Sequence, residues 1–274
     1  MEHVLRQTWA FLFRDLNLTR RYMSWVVVFT FYAIVNTATI ALIGVALGDR
    51  RLTLMLVLGA LLWNFLSVLF SEIANSITYE RWEGTLEYTF MAPVSRLTHL
   101  AGVSIFVVIY SVVRTVVIVA ALTLLIDLDL SRANVPGILV VLAVSSVAFI
   151  GLGLIAAVLP VFSPERGAEA TNIFQGLLLL VSGVYYPVEV LPRWLQPLSY
   201  ISPATYALSA CRKLMGIGEA GGGDVQTAGA PLSAVTHELM VLALMGALMI
   251  PLGLYIFGLV EGWAKRTGKL KRTG

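Results

Sequence analysis

Residues 52–77 read LTLMLVLGALLWNFLSVLFSEIANSI, an almost unbroken apolar run with one acidic residue, Glu72. A helix needs about 20 predominantly apolar residues to cross the hydrocarbon core of a bilayer, so this stretch is long enough to span it. The run lacks the strict alternation of a barrel strand, and a helix pairs every backbone group within itself. This stretch therefore predicts a transmembrane α-helix.

Five further apolar runs flank this stretch, so the chain is predicted to be an all-α integral membrane protein. Together the runs predict six transmembrane helices, at about residues 24–47, 52–77, 100–126, 135–162, 171–186 and 235–263. The fifth run is short, because Pro187 limits it. The composition agrees, since only 13% of the 274 residues are charged, against about 25% in soluble domains.

The lysine and arginine residues predict the orientation of the spans, because cytoplasmic segments carry an excess of them. If the N-terminus lies inside, twelve of the nineteen fall on inner segments, six on outer segments, and Arg114 within a span. We therefore expect both termini in the cytoplasm (N-in, C-in) and the chain in the cell inner (plasma) membrane. Because the basic residues flank apolar runs, they do not indicate nucleic-acid binding.

The chain before the first span has the periodicity of an amphipathic helix. Residues 1–23 place one set of apolar side chains on a stripe, and polar side chains face elsewhere. The stripe consists of Leu5, Trp9, Leu12 and Leu16 with Phe13 beside it, and the polar residues are Arg6, Gln7, Arg14 and Asn17. We expect a helix in the inner membrane interface, with a merely polar tail as the alternative. Residues 24–263 then form one transmembrane domain, and 264–274 a basic cytoplasmic tail.

The inner loop of residues 79–99 is the longest on its side of the membrane. As one helix it would place Glu80, Glu83 and Glu87 on one face, with aromatic and apolar residues on another, and Pro93 would end it. This pattern predicts an acidic ridge that faces the cytoplasm and could dock a partner. The alternative is a solvated charge run that caps the second span.

The outer segment between the fifth and sixth spans divides into two parts. Residues 187–215 are rich in proline and aromatic residues, and four prolines forbid one continuous helix: Pro187, Pro192, Pro197 and Pro203. A broken, partly apolar segment is tolerated at membrane depth where protein covers it, although an ordinary outer loop is the alternative. Residues 216–234 are rich in glycine and indicate a flexible outer loop.

Four polar residues lie inside predicted spans, where polar groups are costly and often functional. At 1.5 Å per residue, Asn36, Asn64 and Arg114 lie about 18–21 Å from the inner ends of their spans. We therefore hypothesise that Asn64 or Asn36 holds Arg114 through hydrogen bonds between helices. Glu72 lies shallower, so its direct pairing with Arg114 is marginal. A structural role and substrate contact remain equally open for this group.

The sequence carries no pattern of a catalytic or metal site. A P-loop needs Gly-x-x-x-x-Gly-Lys-Ser/Thr, and the tail from Gly262 to Leu270 departs from that spacing. The three histidines are scattered, and the single Cys211 excludes an intramolecular disulfide and a cysteine metal site. We therefore expect no enzyme activity, no metal and no cofactor in this chain.

Two regions of the sequence carry recognisable motifs. The first is Gly84-Thr85-Leu86-Glu87 with Pro93-Val94-Ser95-Arg96, and the second is Gly183, Pro187, Leu191-Pro192-x-Trp194-Leu195-Gln196, Pro203 and Arg212. Together these regions resemble the type-2 ABC exporter permeases. The resemblance implies a coupling helix that sits on a nucleotide-binding subunit, and short re-entrant outer helices between spans five and six. It further implies a cytoplasmic P-loop ATPase partner that binds ATP and Mg, and a second copy of the chain or a related permease. Membrane lipid surrounds the assembly.

The resemblance assigns roles to three groups of residues. The ATPase-coupling group is Glu80, Glu83, Gly84, Thr85, Glu87, Pro93 and Arg96. The outer group is Pro187, Pro192, Trp194, Gln196, Pro203 and Arg212. The short inner loop with Glu165 and Arg166 would be a second inner contact with the partner, or a plain turn.

The resemblance implies the membrane subunit of an ATP-driven exporter, whose cargo would be an amphipathic, lipid-like, drug or glycan molecule. The strongest alternative is an ion-coupled secondary transporter, which would require intramembrane carboxylates and an internal repeat. Glu72 is the main candidate carboxylate, and we find no convincing repeat. A lipid-modifying enzyme would require paired acids or a histidine cluster, which the sequence lacks. A sensor or scaffold without transport is a further alternative.

Overall fold

The computed structural model describes residues 2–92, 94–126, 133–162, 166–217 and 229–267, and this part of the chain is helical without strands. The first six helices are α1 (Glu2–Arg21), α2 (Met23–Ala46), α3 (Arg50–Trp82), α4 (Leu86–Met91), α5 (Arg96–Leu125) and α6 (Val135–Ala156). The others are α7 (Val158–Phe162), α8 (Gly167–Val181), α9 (Gln196–Ser199), α10 (Pro203–Leu214) and α11 (Thr236–Thr267). Short 3-10 turns lie at Val188–Val190 and Leu232–Val235.

Five segments of the described chain are long and apolar enough to cross a membrane, which supports the predicted integral membrane protein. They are Met23–Ala46, Arg50–Ser76, Thr98–Leu125, Val135–Phe162 and Leu232–Thr267. The predicted fifth span, 171–186, is different, because α8 ends at Val181 and Gly183 follows with a φ of 65°. Its 15 residues reach only about 22 Å, less than the hydrocarbon thickness of about 30 Å. A sixth complete span therefore stays a prediction.

Helix α3 lies at the centre of the bundle. In an 18-residue apolar stretch of its spanning segment, 61% of the residues are buried, against 17% in the corresponding stretch of α2. Phe65, Leu66, Leu69 and Phe70 of α3 are almost completely buried, and the helix contacts α2, α5, α6, α8 and α10. A displacement of α3 therefore has to move most of the bundle with it.

Helices α6 and α11 run in the same direction and approach closely through glycine. A Cβ atom added at Gly151 would lie 2.6 Å from Cβ of Met249, and one added at Gly253 would lie 2.9 Å from Cβ of Leu154. Small residues allow such close backbone approach in membrane helix pairs, where lipid removes the hydrophobic drive between helices. The α6–α11 pair therefore packs tightly, and α6 contacts α3.

The two ends of the bundle carry different short elements. We call one end the α1 end, formed by α1, α4, the last turns of α3 and the first turns of α5. We call the other the α10 end, formed by α9, α10 and the first turns of α6 and α11. An ion pair between Arg14 and Glu80 lies at the α1 end. An ion pair between Lys213 and Glu238 lies at the α10 end.

Helix α1 is amphipathic and packs against α5. A Cβ atom added at Gly102 would lie 2.7 Å from Cβ of Phe11, so only glycine permits this approach. Leu5, Trp9 and Phe13 are exposed, whereas the predicted stripe members Leu12 and Leu16 are half-buried. The exposed apolar stripe is therefore rotated from the predicted one, because Phe11 faces α5. The location of α1 in the membrane interface stays a prediction.

Candidate functional site

The predicted coupling helix is broken in two. Helix α3 continues from the second span to Trp82, Gly84 follows with a φ of 72°, and α4 begins at Leu86. The backbone N–H of Thr85 donates to the carbonyl of Glu80 at 2.9 Å, which closes a glycine-based helix C-terminus. The expectation of one helix carrying Glu80, Glu83 and Glu87 on a single face is therefore wrong.

Glu80 is buried at the α1 end, with only 5% of its surface exposed. Nη1 of Arg14 donates to Oε1 of Glu80 at 2.9 Å. Nε2 of His99 lies 3.0 Å from the same oxygen, close enough for charge pairing but without an aligned hydrogen bond. The prediction that Glu80 belongs to an acidic ridge facing the cytoplasm is wrong, because α1 and α5 cover it.

The pKa of Glu80 reflects two opposing effects. Burial would raise this pKa, but His99 and Arg14 outweigh the burial and hold it below its ordinary value of 4.5. Next to it, burial raises the pKa of Asp15, and the attraction of Arg14 only partly offsets that rise. Glu80 is therefore ionised at neutral pH and holds Arg14 as a charge partner.

The charged cluster at the α1 end joins three helices. Nε of Arg14 donates to Oδ1 of Asp15 at 3.0 Å, so the guanidinium bridges two carboxylates. The ring of Phe11 lies 4.7 Å from the ring of His99 and 5.2 Å from Arg14. We call Arg14, Asp15, Glu80 and His99 the α1-end charge cluster. The sequence analysis placed Arg14 only off the apolar stripe, and it did not predict His99 as a site residue.

Beyond this cluster, the end of α3 and helix α4 expose large apolar side chains. Trp82, Tyr88 and Met91 are 67%, 79% and 78% exposed. Glu83 is also exposed and accepts a hydrogen bond from the hydroxyl of Tyr22 at 3.0 Å. Exposed apolar side chains of this size favour contact with a protein partner or with the membrane. We call Trp82, Glu83, Tyr88 and Met91 the α4 patch.

The remaining predicted coupling residues are partly placed. Gly84 and Thr85 form the turn between α3 and α4, and Arg166 immediately precedes α8. The side chain of Ser95 accepts from the N–H of Thr98 at 3.1 Å and caps the start of α5. Pro93 and Glu165 lie outside the described residues, as do the side chains of Glu87 and Arg96.

The predicted outer segment folds as short helices that its prolines delimit. Pro187 precedes a 3-10 turn, Pro203 begins α10, and Pro192 lies in the loop before α9. Nε2 of Gln196 donates to the carbonyl of Leu191 at 2.9 Å, and Trp194 is 75% exposed.

Arg212 closes this segment onto the end of α8. Its Nη2 donates to the carbonyls of Gly183 at 2.9 Å and Val184 at 3.1 Å. The hydroxyls of Ser182 and Ser202 are 2.7 Å apart. Arg212 thus satisfies carbonyl groups that the turn after α8 leaves without helical partners.

The same segment lies against α3. A Cβ atom added at Gly59 would lie 2.3 Å from the carbonyl oxygen of Val184. Gly59 is nine residues from the start of α3 at Arg50, about 13 Å along its axis. Helix α10 also contacts α3, and its residues Ala207 and Leu208 are buried. The segment therefore enters the bundle alongside the spans, and its depth in a membrane stays a prediction.

A second buried ion pair lies at the α10 end. Nζ of Lys213 lies 2.7 Å from Oε1 of Glu238, which is 5% exposed, and Ser209 donates to the same oxygen at 3.3 Å. This pair ties α10 to the first turn of α11. The sequence analysis missed it, because the partners are 25 residues apart along the chain and no local pattern connects them.

The intramembrane polar residues are arranged differently from the hypothesis. Nη2 of Arg114 donates to the carbonyl of Phe29 on α2 at 2.9 Å, so the predicted bonds to Asn64 or Asn36 are wrong. Asn36 is exposed on α2. Among the described residues, no group of His, Cys, Asp or Glu could hold a metal ion.

The apolar spans, the buried polar contacts between them and the short helices at both ends define an all-α integral membrane protein. Residues 6–215 match the family described as ABC-2 type transporter. Because this match covers more than half of the 274 residues, the chain belongs to the ABC-2 type transporter family. Members of this family are permease domains that are not themselves catalytic. None of the curated protein sequences that were compared with the chain matches it.

Proposed function

We propose that the chain is the membrane subunit of an ATP-driven exporter, with the α1 end in the cytoplasm. Permeases of this family typically work with an ATPase partner and dimerise. The observation that carries the proposal is the α4 patch, because it is an exposed apolar and acidic surface at the end of the most buried span. A cytoplasmic P-loop ATPase binds this patch and supplies ATP and Mg, and the chain supplies neither.

The linkage between α4 and α3 supports this role. Only Glu83, Gly84 and Thr85 separate the two helices, and the Thr85 to Glu80 hydrogen bond fixes the turn. If the ATPase displaced α4, the short fixed turn would therefore transmit most of that movement to α3. Because α3 contacts most of the bundle, its tilt would open or close a route for the cargo.

A second copy of the chain completes the assembly. Helix α8 exposes Asn172 and Gly176 next to Ile173, which is 67% exposed, and Leu177, which is 56% exposed. An amide group is costly in lipid, and a bare glycine permits close helix approach. Both features favour a protein partner over lipid on this face. We propose that α8 lines the contact between two permeases.

The cargo moves outward, and it is an amphipathic, lipid-like, drug or glycan molecule. The apolar surfaces of the spans favour an amphipathic molecule over a strongly polar one. The chain lies in the inner (plasma) membrane with both termini inside, and α8 with the short outer helices forms its sixth crossing. The ion-coupled alternative is not favoured, because residues 6–215 match the ABC-2 type transporter family.

Co-purification from the native host tests this proposal. The permease is tagged at its C-terminus, extracted in mild detergent, and its partners are identified by mass spectrometry. We expect a stoichiometric P-loop ATPase that is lost in a Glu83→Lys, Tyr88→Glu variant. The matched control is Trp194→Glu, which places a charge on an exposed aromatic residue at the α10 end and should retain the ATPase. Recovery of the permease without any ATPase, in several detergents, would contradict the proposal.

A further inference from the structure

Arg114 carries a positive charge inside a membrane-spanning segment and has no carboxylate partner among the described residues. It lies near the middle of the span Thr98–Leu125. No carboxylate of the described side chains lies within 4.0 Å of its guanidinium. This includes Glu72, the one acidic residue in the neighbouring span of α3. Arginine keeps its charge in proteins, and an unpaired charge in the hydrocarbon region is costly.

The contacts of the Arg114 guanidinium leave one of its ends open. Nη2 donates to the backbone carbonyl of Phe29 at 2.9 Å, and the hydroxyl of Tyr110 is a second polar neighbour. Both groups are neutral, so neither cancels the charge. Nε is enclosed by protein. Nη1 makes no aligned hydrogen bond within the described chain and is not enclosed in the same way. A ligand can therefore reach Nη1 from outside the bundle.

The surface around this guanidinium is apolar. On α2, Trp25 and Phe29 are 59% and 52% exposed, and their rings stack with centroids 5.8 Å apart. On α5, the exposed neighbours of Arg114 are Val113 and Val116. The contact that we propose between two permeases lies on α8, so it leaves this face to lipid. An apolar face with a single cation is complementary to a lipid that carries a negative headgroup.

The guanidinium lies within reach of lipid headgroups. Phe29 is six residues after Met23, the first residue of α2, which is about 9 Å along the helix axis. Tyr22 and Trp25 near that start are exposed, as is typical of the membrane interface. Helix α5 begins at the same end, and side chains lean towards the start of their helix, so Arg114 extends towards this interface. Local thinning of the bilayer then brings a phosphate to it.

We propose that Arg114 anchors a phospholipid on the face formed by α2 and α5, in the leaflet at the α1 end. Nη1 donates to the headgroup phosphate, and the acyl chains lie along the exposed apolar residues. Guanidinium and phosphate form strong charge-assisted hydrogen bonds. The site prefers phosphatidylglycerol over phosphatidylcholine, because the ammonium group of the latter competes for its own phosphate. The binding is a property of the permease alone. Only the use of this lipid as cargo rests on the proposed function.

Native mass spectrometry of the purified permease, without ATPase, tests the site. Dioleoylphosphatidylglycerol is titrated in mild detergent, with dioleoylphosphatidylcholine as the comparison lipid. We expect Arg114→Gln to bind the first phosphatidylglycerol about tenfold more weakly than the wild type, the size expected for losing one charged hydrogen bond. Arg114→Lys should keep most of the binding, because it keeps the cation. The matched control is Arg193→Gln, an exposed arginine at the α10 end, which removes the same charge and should bind like the wild type.

A photoreactive lipid locates the site in the wild type, so this test does not depend on the folding of a variant. Phosphatidylglycerol with a diazirine in its headgroup is crosslinked to the permease, and the modified peptides are identified. We expect adducts within residues 23–46 and 96–125 that unlabelled phosphatidylglycerol competes away. Equal binding by the wild type and Arg114→Gln, or adducts confined to other helices, would overturn the inference.

Reconstitution separates a cargo lipid from a resident lipid. The permease and its co-purified ATPase are placed in vesicles with fluorescent phosphatidylglycerol, and its ATP-driven transfer between leaflets is measured. Transfer that is lost in Arg114→Gln identifies the bound lipid as cargo, whereas binding without such transfer identifies a resident lipid. Either result supports the site. Lipid binding in a permease with which no ATPase co-purifies leaves the site intact and instead contradicts the proposed function.

Discussion

The two ends of the bundle bury charge in opposite ways. At the α1 end, Glu80 meets Arg14 and His99 from two other helices. At the α10 end, Arg212 binds backbone carbonyls and Lys213 binds Glu238. The first arrangement joins side chains of three helices, and it lies beside an exposed patch. The second fixes a backbone turn through Arg212 and ties α10 to α11 through Lys213. This difference fits the proposal that the α1 end receives the motion of the ATPase, while the α10 end holds its short helices in place.

The largest expected effect is at Arg212, and it would test whether the α10 end is fixed. Arg212→Ala leaves the carbonyls of Gly183 and Val184 without their charged donor. We expect a loss of about 3 kcal/mol of stability, measured by thermal unfolding in detergent. Arg193→Ala, an exposed arginine in the same segment, should change little. Equal effects of the two substitutions would remove the distinction between the two ends.

The ion pair at the α10 end should give a smaller loss. Lys213→Met leaves the carboxylate of Glu238 buried with only Ser209 as partner. We expect a cost of about 2 kcal/mol, because the lysine is partly solvated. The double variant Lys213→Met, Glu238→Gln should recover part of that loss, since it removes the unpaired charge. No recovery in the double variant would show that the pair contributes packing rather than charge.

The turn at Gly84 sharpens the account of the α1 end. Gly84→Ala forces a residue with a Cβ atom into a φ of 72°, at a cost of about 1 kcal/mol. The substitution should also favour continuation of α3 into the loop and so misplace α4. The amount of ATPase that co-purifies should therefore fall by more than the small loss of stability explains. The matched control is Gly258→Ala in α11, where an added Cβ meets nothing within 4 Å and should be harmless. Full ATPase binding by Gly84→Ala would contradict the proposed role of the turn.

The smallest effect concerns acid pH. The pKa of Glu80 lies below its ordinary value of 4.5, so the ionised form stabilises the fold above that pH. This stabilisation is lost only as the pH falls through the lowered value. The stability difference between the wild type and Glu80→Gln should therefore stay constant from pH 6 down to about 4.5, and shrink below it. A difference that already vanishes at pH 5.5 would show that Arg14 and His99 do not hold this carboxylate.

The long helices could be predicted from the sequence because their signal is local. Apolar runs placed α2 at 24–47 and α6 from 135, close to Met23–Ala46 and Val135–Ala156. Gly84 could also have been recognised, since glycine commonly follows the last turn of a helix. The sequence analysis instead gave more weight to the spacing of the three glutamates.

The partners of the buried charges could not be predicted in the same way. Glu80 and Arg14 are 66 residues apart, and Arg114 and Phe29 are 85 residues apart. Their contacts depend on how α1, α2 and α5 pack, which no periodicity in one segment reveals. Depth alone suggested Asn36 and Asn64 for Arg114, but depth does not fix which way a side chain points around its helix.

Photocrosslinking in the native host tests the central claim most directly. A photoreactive phenylalanine is introduced in place of Tyr88 in the α4 patch and, separately, in place of Trp194 at the α10 end. The account predicts a crosslink to a P-loop ATPase from position 88 and none from position 194. A crosslink to the ATPase from position 194, or its absence at 88 while the ATPase still co-purifies, would contradict the account.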